Sequence, residues 1–479
     1  MRRPDATRVP IAAGPAGRRR GALARAPPLG SPSVSPGGRI PLTRSPRSAA
    51  RSRPRVESPA GAAALVRPRD SLGIPLGPGQ PAALLHALGE RDDFEDLRVF
   101  GALLVDLFPL FARRGVRLRS GFFGPVERAL AAAGHDVAFV PADFRRFAPI
   151  LERLRPRVMA TAVAPPDRHG RFSLSLHAGA TVAELQRAGR DPERLLIAEV
   201  NPKLPRTFGL PPEHPHALAE HEIDVLVEGD REPPAIPDAS PSDVDRAIAA
   251  RACRYVEPGS TLQIGIGGVP NAIARLLAEG PGGDYGVHTE MFTTGLMRLH
   301  RAGKVTNRKG RHDGVSVCTF AAGSAELYAW LDEREEVRFL PVECVNDPSA
   351  IAANRRMLSI NGALSVDLAG QVAADSLEGR QHSGIGGHED FVAGASLPGV
   401  GRSLLCLPST AQVGGRAVSR ILASFPPGTL VTTPRHHVDV VITEWGAAEL
   451  RDRSAGERAR ALVELAHPEF REALRAGLA

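Results

Sequence analysis

Two glycine loops and one glutamate carry most of the chemistry legible in this chain. Gly265-Ile266-Gly267-Gly268-Val269-Pro270 follows an apolar run and precedes a helical stretch, and Gly384-Ile385-Gly386-Gly387 leads into the helix-like HEDFVAGA. A glycine turn between strand and helix lets backbone N–H groups approach an anion closely, and the helix N-terminus adds partial positive charge. A dinucleotide fingerprint fails at its third glycine, where Pro270 and Glu389 stand, and neither loop runs into the Gly-Lys-Ser/Thr of a P-loop. The bland alternative for each loop is a plain tight turn. Between them, Tyr285-Gly286-Val287-His288-Thr289-Glu290-Met291-Phe292 sets a carboxylate after a short strand and before a helix, where site residues of α/β sheets sit. Glu290 in that position equally suits a residue that caps or solvates the helix start. His288 shares its strand face and reads as a site residue or as a satisfied structural histidine. Val345-Asn346-Asp347-Pro348 is turn and helix-start chemistry with Asn346 or Asp347 as the cap, or else it supplies an amide that orients a carboxylate. Taken singly, these four elements leave the function open.

The elements around them alternate. LRVFGALLVDLFPLF (97–111) reads as strand and helix, DVAFVPADF (136–144) and RVMATAVAP (157–165) as buried strands, and VAELQRAG (182–189) as a helix. EGDREPPAIPDASPSD (228–243), proline-rich and acidic, reads as a linker. After it come strand TLQIGIG, helix NAIARLLAEG, strand YGVHT and helix TTGLMRLHRAG. Strands VSVCTF, LSINGALSV, SLLCLP and VDVVIT follow, and the chain closes on two helical segments. Strands alternating with helices predict an α/β fold of open, largely parallel sheets covered by helices. No internal repeat is visible.

Composition narrows the class. The chain has 479 residues, 43% hydrophobic and 24% charged, which is ordinary globular usage and room for more than one domain. The net charge of +7 invites a nucleic-acid reading until it is divided. Residues 1–70 hold 15 Arg, no Lys and 3 acidic residues, a balance of +12, which leaves −5 for the rest. The basicity belongs to a tail on a mildly acidic body, so no nucleic-acid partner is expected. Residues 1–68 contain 12 prolines, and the first aromatic residue is Phe94. Such a segment is expected to be disordered, or to reflect an overcalled start with Val66 as the true one; the prolines argue against an amphipathic transit peptide. Cys253, Cys318, Cys344 and Cys406 stand far apart, which fits neither a zinc site nor a disulfide framework, so no metal is expected and reduced thiols suit a cytoplasmic protein. No apolar run approaches the roughly 18 residues of a membrane span, so no membrane partner is expected.

In order, the motifs are recognisable. GIGGVPNAIARLL, YGVHTEMFTTGLMRLHRAGKVTN, ECVNDPSAIAANRRMLSINGALSVDLAGQV and SGIGGHEDFVAGA resemble the acetyl-CoA hydrolase/transferase family, which includes 4-hydroxybutyrate CoA-transferases. FGPVERALAAAGHDVAFVPADF, VAPPDRHGRFSLSL and EVNPKLPRTFG are similar to that family's N-terminal half. The resemblance covers about residues 72–476. It implies two related open α/β domains, here 71–235 and 236–479 after the 1–70 tail, with the active site between them.

The implied reaction moves CoA between a short-chain acyl-CoA and a small carboxylate of the acetate or 4-hydroxybutyrate type by a ping-pong route, with CoA thioester as substrate and no separate cofactor. The resemblance makes Glu290 the catalytic glutamate, gives Gly386 and Gly387 an oxyanion role, and sets Asn346 beside the glutamate. Gly265, Ile266, Gly267, Gly268 and Val269, with Ser383 and Gly384, become CoA contacts, and a homodimer or larger assembly is expected. His388 and Ala393 replace the Gln and Arg usual in the family's second loop. Rival readings are an acyl-CoA hydrolase using the same glutamate and a non-catalytic CoA-binding regulator.

Overall fold

The computed structural model describes residues 53–238, 240–397 and 399–477. Two open sheets organise them. The first has eight strands, in spatial order Arg55–Glu57, Val225–Glu228, Leu195–Val200, Val158–Val163, Arg69–Leu76, Asp96–Ala102, Val116–Ser120 and Val137–Phe139, every neighbouring pair parallel. Leu72, Val99, Val158 and Ile197 along it are fully buried, as expected of a parallel sheet covered on both faces. The chain winds outward from Arg69–Leu76 to Val137–Phe139 and returns on the other side at Val158–Val163, so the connections leave in opposite directions at that central pair. Crevices form at the carboxyl ends of such strands. The second sheet has six strands, Gly286–Val287, Thr261–Ile264, Met357–Gly362, Gly401–Cys406, Val440–Thr443 and Gly446–Glu449, parallel except for the last pair. The α/β class with largely parallel sheets is therefore as expected.

The halves share one core. Leu174, Leu176 and Leu204 of the first pack in the same buried cluster as Phe292, Leu296 and Phe339 of the second. The main chain joins them too. Ala178 and Gly179 donate to the Thr319 carbonyl at 2.7 and 3.1 Å, and Val342 donates back to Gly179 at 2.9 Å. Within 228–243 the stretch around Pro234 and Ile236 is tied down rather than free, since Ile236 donates to Gly323 and the Tyr328 hydroxyl donates to Pro234.

One expected boundary moves. Residues 55–70, assigned to the tail by composition, belong to the first sheet. Arg55–Glu57 is its edge strand, Ser58 caps the helix Pro59–Ala63, and Ala62, Ala63 and Val66 are buried beside Leu84, Leu85 and Leu88. The Arg91 guanidinium donates to the carbonyls of Ala63 and Val66, and Arg157 pairs with Asp70. Alanines that pack closely against leucines contribute a core that looks like low-complexity sequence. The expectations for residues 1–52 lie outside the described residues. Among these, no helix is long and apolar enough to cross a membrane. A chain beginning at Val66 loses the edge strand and the capped helix, and its thermal unfolding should report roughly 2–4 kcal/mol less stability than a chain beginning at Arg53. Equal melting of the two would contradict this packing.

Candidate active site

Glu290 lies between the Gly286–Val287 strand and Met291–Phe292, which pairs in parallel with Phe320–Ala321. Its carbonyl accepts from Thr319 and Phe320, at 2.9 and 3.2 Å, so the same Thr319 that binds the first half also fixes the glutamate's backbone. The carboxyl lines a cavity of about 610 Å³ at the carboxyl ends of the first-sheet strands. Asn346 donates from Nδ2 to Glu290 Oε2 at 2.6 Å and to Asp390 Oδ2 at 3.2 Å. In this orientation the amide NH2 faces both carboxyl groups, as their ionised forms require. Asp390 is fully buried and pairs with Arg145, a first-half residue that also reaches Asp143.

Burial pushes the Glu290 carboxyl up to about 8, and the charge of Asp390 adds to the rise. The Asn346 amide and the Gly387 N–H act the other way by favouring the charged form. Asp390 is raised by burial as well, and Arg145 opposes that rise. The site thus holds a half-buried carboxyl against an apolar wall with hydrogen-bond donors ready for its anion.

The second glycine loop closes over this pair. Gly386 takes φ +57°, a left-handed conformation that favours glycine. Its carbonyl accepts from Phe144 N–H at 2.9 Å. A Cβ on Gly387 would collide with Glu290 Oε2 and Asn346 Nδ2, and one on Gly384 would collide with Phe122. Here the close-approach reading prevails over the plain turn. Ser383 is set back: its N–H donates to Asp375 and its carbonyl accepts from Gln381. The first loop also carries a left-handed glycine, Gly267 at φ +119°, just before the helix Gly268–Glu279. Gly268 packs on Asp245, Val269 is buried, and Ile266 alone of that loop lines the cavity beside Glu290.

The open alternatives resolve residue by residue. His288 is structural: it is 1% exposed, it donates from Nε2 to the Val345 carbonyl at 2.8 Å, and burial keeps it neutral by lowering it to about 3. It thereby anchors the turn that presents Asn346. Asp347 is the cap, accepting from Ser349 and Ala350, so the neighbouring amide is free for the glutamate. His388 faces Thr433 at 2.9 Å and does not line the cavity.

Sequence reading missed Asp390, Arg145 and the cavity's aromatic wall. Arg145 lies 245 residues from its partner, a separation no local pattern reveals. The wall did leave a trace, since nine of the chain's 17 phenylalanines fall between residues 94 and 147. Glu127, in the same stretch, is fully buried. Glu127 accepts from the backbone of Gly124 and Leu104, and from the Ser120 hydroxyl, across two strand ends.

Residues 323–478 match the acetyl-CoA hydrolase/transferase C-terminal domain. Over 427 residues the chain is 36% identical to the succinyl-CoA:cyclohexane-1-carboxylate CoA transferase of Geobacter metallireducens, covering 88% of this chain and 94% of that protein. The chain belongs to the acetyl-CoA hydrolase/transferase family. Within that family it is also 34% identical over 412 residues to the 4-hydroxybutyrate coenzyme A transferase of Clostridium kluyveri, covering 83% and 90%. The crystal structure of RipA from Yersinia pestis superposes with a TM-score of 0.81 at 33% identity, over 88% of this chain and 96% of that one. The protein is therefore an enzyme of the CoA-transferase kind.

Glu290 keeps its proton up to about pH 8 in the folded chain, whereas the ordinary value is 4.5. The folded state binds the extra proton between those values, so the group's contribution to stability is full below 4.5 and is lost as pH climbs through the window. Glu290→Gln keeps a neutral side chain throughout. The variant should melt with the wild type at pH 5 and a few degrees above it at pH 8.5, at about 1.4 kcal/mol per pKa unit. A melting difference that does not change with pH would argue against a buried titrating carboxyl.

Proposed function

We propose that the protein transfers CoA between an acyl-CoA and a carboxylic acid by a ping-pong route through Glu290. The observation that carries this reading is a carboxyl at an apolar cavity wall, held by Asn346 and approached by Gly387 so closely that a side chain there would collide with both. Ionised Glu290 attacks the acyl-CoA carbonyl, and the carbon–sulfur bond breaks to give an acyl-glutamyl anhydride and CoA thiolate. The thiolate attacks the glutamyl carbonyl, the anhydride C–O bond breaks, and the acid leaves as its carboxylate. What remains is a glutamyl-CoA thioester. An incoming carboxylate runs both steps in reverse, so the thioester's energy is conserved without a nucleotide.

Each addition puts negative charge on an oxygen of the former carbonyl. The Gly387 N–H and the Asn346 amide are the donors at hand, and preorganised donors stabilise such charge without reorganising. They also offset the cost of ionising Glu290 before it attacks. Gly265 to Val269, with Gly384, are read as the CoA-contacting backbone, whereas Ser383, whose N–H and carbonyl are both engaged nearby, stands apart from them. The unpaired thiols suit a cytoplasmic enzyme, and a homodimer or larger assembly goes with the family reading. A hydrolase differs only in admitting water to the glutamyl thioester, and the hydrocarbon lining of the cavity favours the transferase.

Enzyme incubated with acyl-CoA and then with borohydride should carry a reduced Glu290 side chain, seen as a mass change in its peptide. A fully active preparation with an unmodified Glu290 would falsify the covalent route. Gly387→Ala forces Glu290 and Asn346 apart, and kcat should fall by about 10²–10³-fold with the circular dichroism spectrum unchanged. Retention of more than a tenth of wild-type kcat would remove this loop from the reaction.

A further inference from the structure

The cavity beside Glu290 is far larger than a small acyl group needs. Its 610 Å³ compares with the ~30 Å³ share of one water molecule, about the size of the methyl group that acetate would offer. Its wall is hydrocarbon. Phe100, Phe122, Phe144, Phe147, Ile150 and Leu151 line it, all from the first half and beyond the two glycine loops. Among the described residues, three polar side chains reach the surface of this cavity, Glu290 itself, Thr181 and Arg119. The Thr181 hydroxyl is directed at the Ala178 carbonyl, and Arg119 is held by Asp136 at 2.8 Å. The guanidinium at this wall is therefore already partly neutralised by a carboxylate. At the mouth stand three large aliphatic residues open to solvent, Leu154 at 41%, Ile236 at 39% and Ile266 at 46%.

The pantetheine arm of CoA carries two amides, and burying an amide without partners is costly. The aromatic wall therefore does not suit the arm, which belongs with the polar backbone of the glycine loops around Ile266. What suits the wall is the acyl group on the far side of the thioester carbonyl. An acetyl or succinyl group would leave the rings facing empty space or an unpaired charge, and either arrangement loses contacts or costs desolvation.

We propose that the acid exchanged at Glu290 is apolar and of about six to nine carbons, straight-chain, alicyclic or aromatic, in place of the short acids expected from the sequence. This rests on the transferase reading, which supplies the thioester at Glu290. Each methylene that enters the wall should raise kcat/KM by roughly fourfold, so the span from acetate to hexanoate should reach on the order of a hundredfold.

The test offers the full-length enzyme propanoyl-CoA with acetate, butyrate, hexanoate, octanoate, cyclohexanecarboxylate, benzoate or succinate, and measures kcat/KM for each acid. The expected result is a rise to hexanoate or octanoate, strong use of the two ring acids, and succinate below hexanoate by at least tenfold. Ile150→Trp fills the cavity and should lower hexanoate turnover at least tenfold more than acetate turnover. A profile that peaks at acetate or butyrate, or a preference for succinate, overturns the inference while leaving the transferase reading intact. If no acid is exchanged at all, the transferase reading fails, and calorimetric binding to the free enzyme still decides the pocket. Hexanoate and cyclohexanecarboxylate should then bind at least tenfold more tightly than succinate. Equal or weaker binding would end the proposal.

Discussion

A carboxyl group that must leave water yet still be able to ionise is the constraint around which this fold is built. Desolvation alone would neutralise Glu290, and free exposure would make it an ordinary surface acid. The compromise is a half-buried carboxyl with donors from two directions, the Asn346 amide and the Gly387 backbone. Neither donor is held by its own element alone. Asn346 is turned by the His288–Val345 hydrogen bond and by Asp390 behind it, and Asp390 is paired with Arg145 of the other half. The glutamate's own carbonyl is bonded to the Thr319–Phe320 turn, whose partner is again the first half. The two sheets must therefore dock before the site exists. Their shared buried cluster supplies the energy for docking, and the ion pair and main-chain bonds supply the register.

This dependence decides what was legible. The strand–helix alternation, the glycine loops and the glutamate between them are local patterns, and each landed where its neighbours in sequence implied. Asp347 against Asn346 could be posed as a choice from sequence, since both are caps by type, but only the fold shows which of them has another task. Asp390 and Arg145 were out of reach because their meaning is a contact across 245 residues. The phenylalanine wall was partly in reach: the concentration of aromatic residues between 94 and 147 is a compositional fact, although their convergence on one cavity is topological. The 55–70 segment failed for a different reason. Alanine buries little area and looks neutral in any composition count, so a well-packed alanine helix capped by Ser58 was indistinguishable from tail.

The charge count belongs to the same lesson. A chain at +7 whose first 52 residues carry +10 leaves −3 for the folded body, and that body handles anions. Such substrates are not gathered by a broad positive field. They must be met by backbone N–H groups at glycine turns and by individual guanidinium groups, many of which are already engaged with carboxylates. Arg145 with Asp390 and Arg119 with Asp136 are of this kind. The acidic balance of the body thus favours small, local anion sites over a general basic surface.

On the transferase mechanism proposed above, an apolar wall beside the glutamyl thioester has two consequences that cannot be separated. It prefers an apolar acyl group, because polar or undersized groups leave its rings without contacts, and it withholds water, because water finds no partners among them. Selectivity for the acid and suppression of hydrolysis are then one property of the same surface. A cavity trimmed to fit acetate would need polar groups at its end wall to match the smaller, wetter acid, and those groups would also order a water near the glutamyl carbonyl. By this argument, members of the family that hydrolyse and members that transfer need not differ in the glutamate or its donors. They need differ only in how much hydrocarbon stands opposite, and in this chain Phe100, Phe122, Phe144 and Phe147 place a great deal of it there.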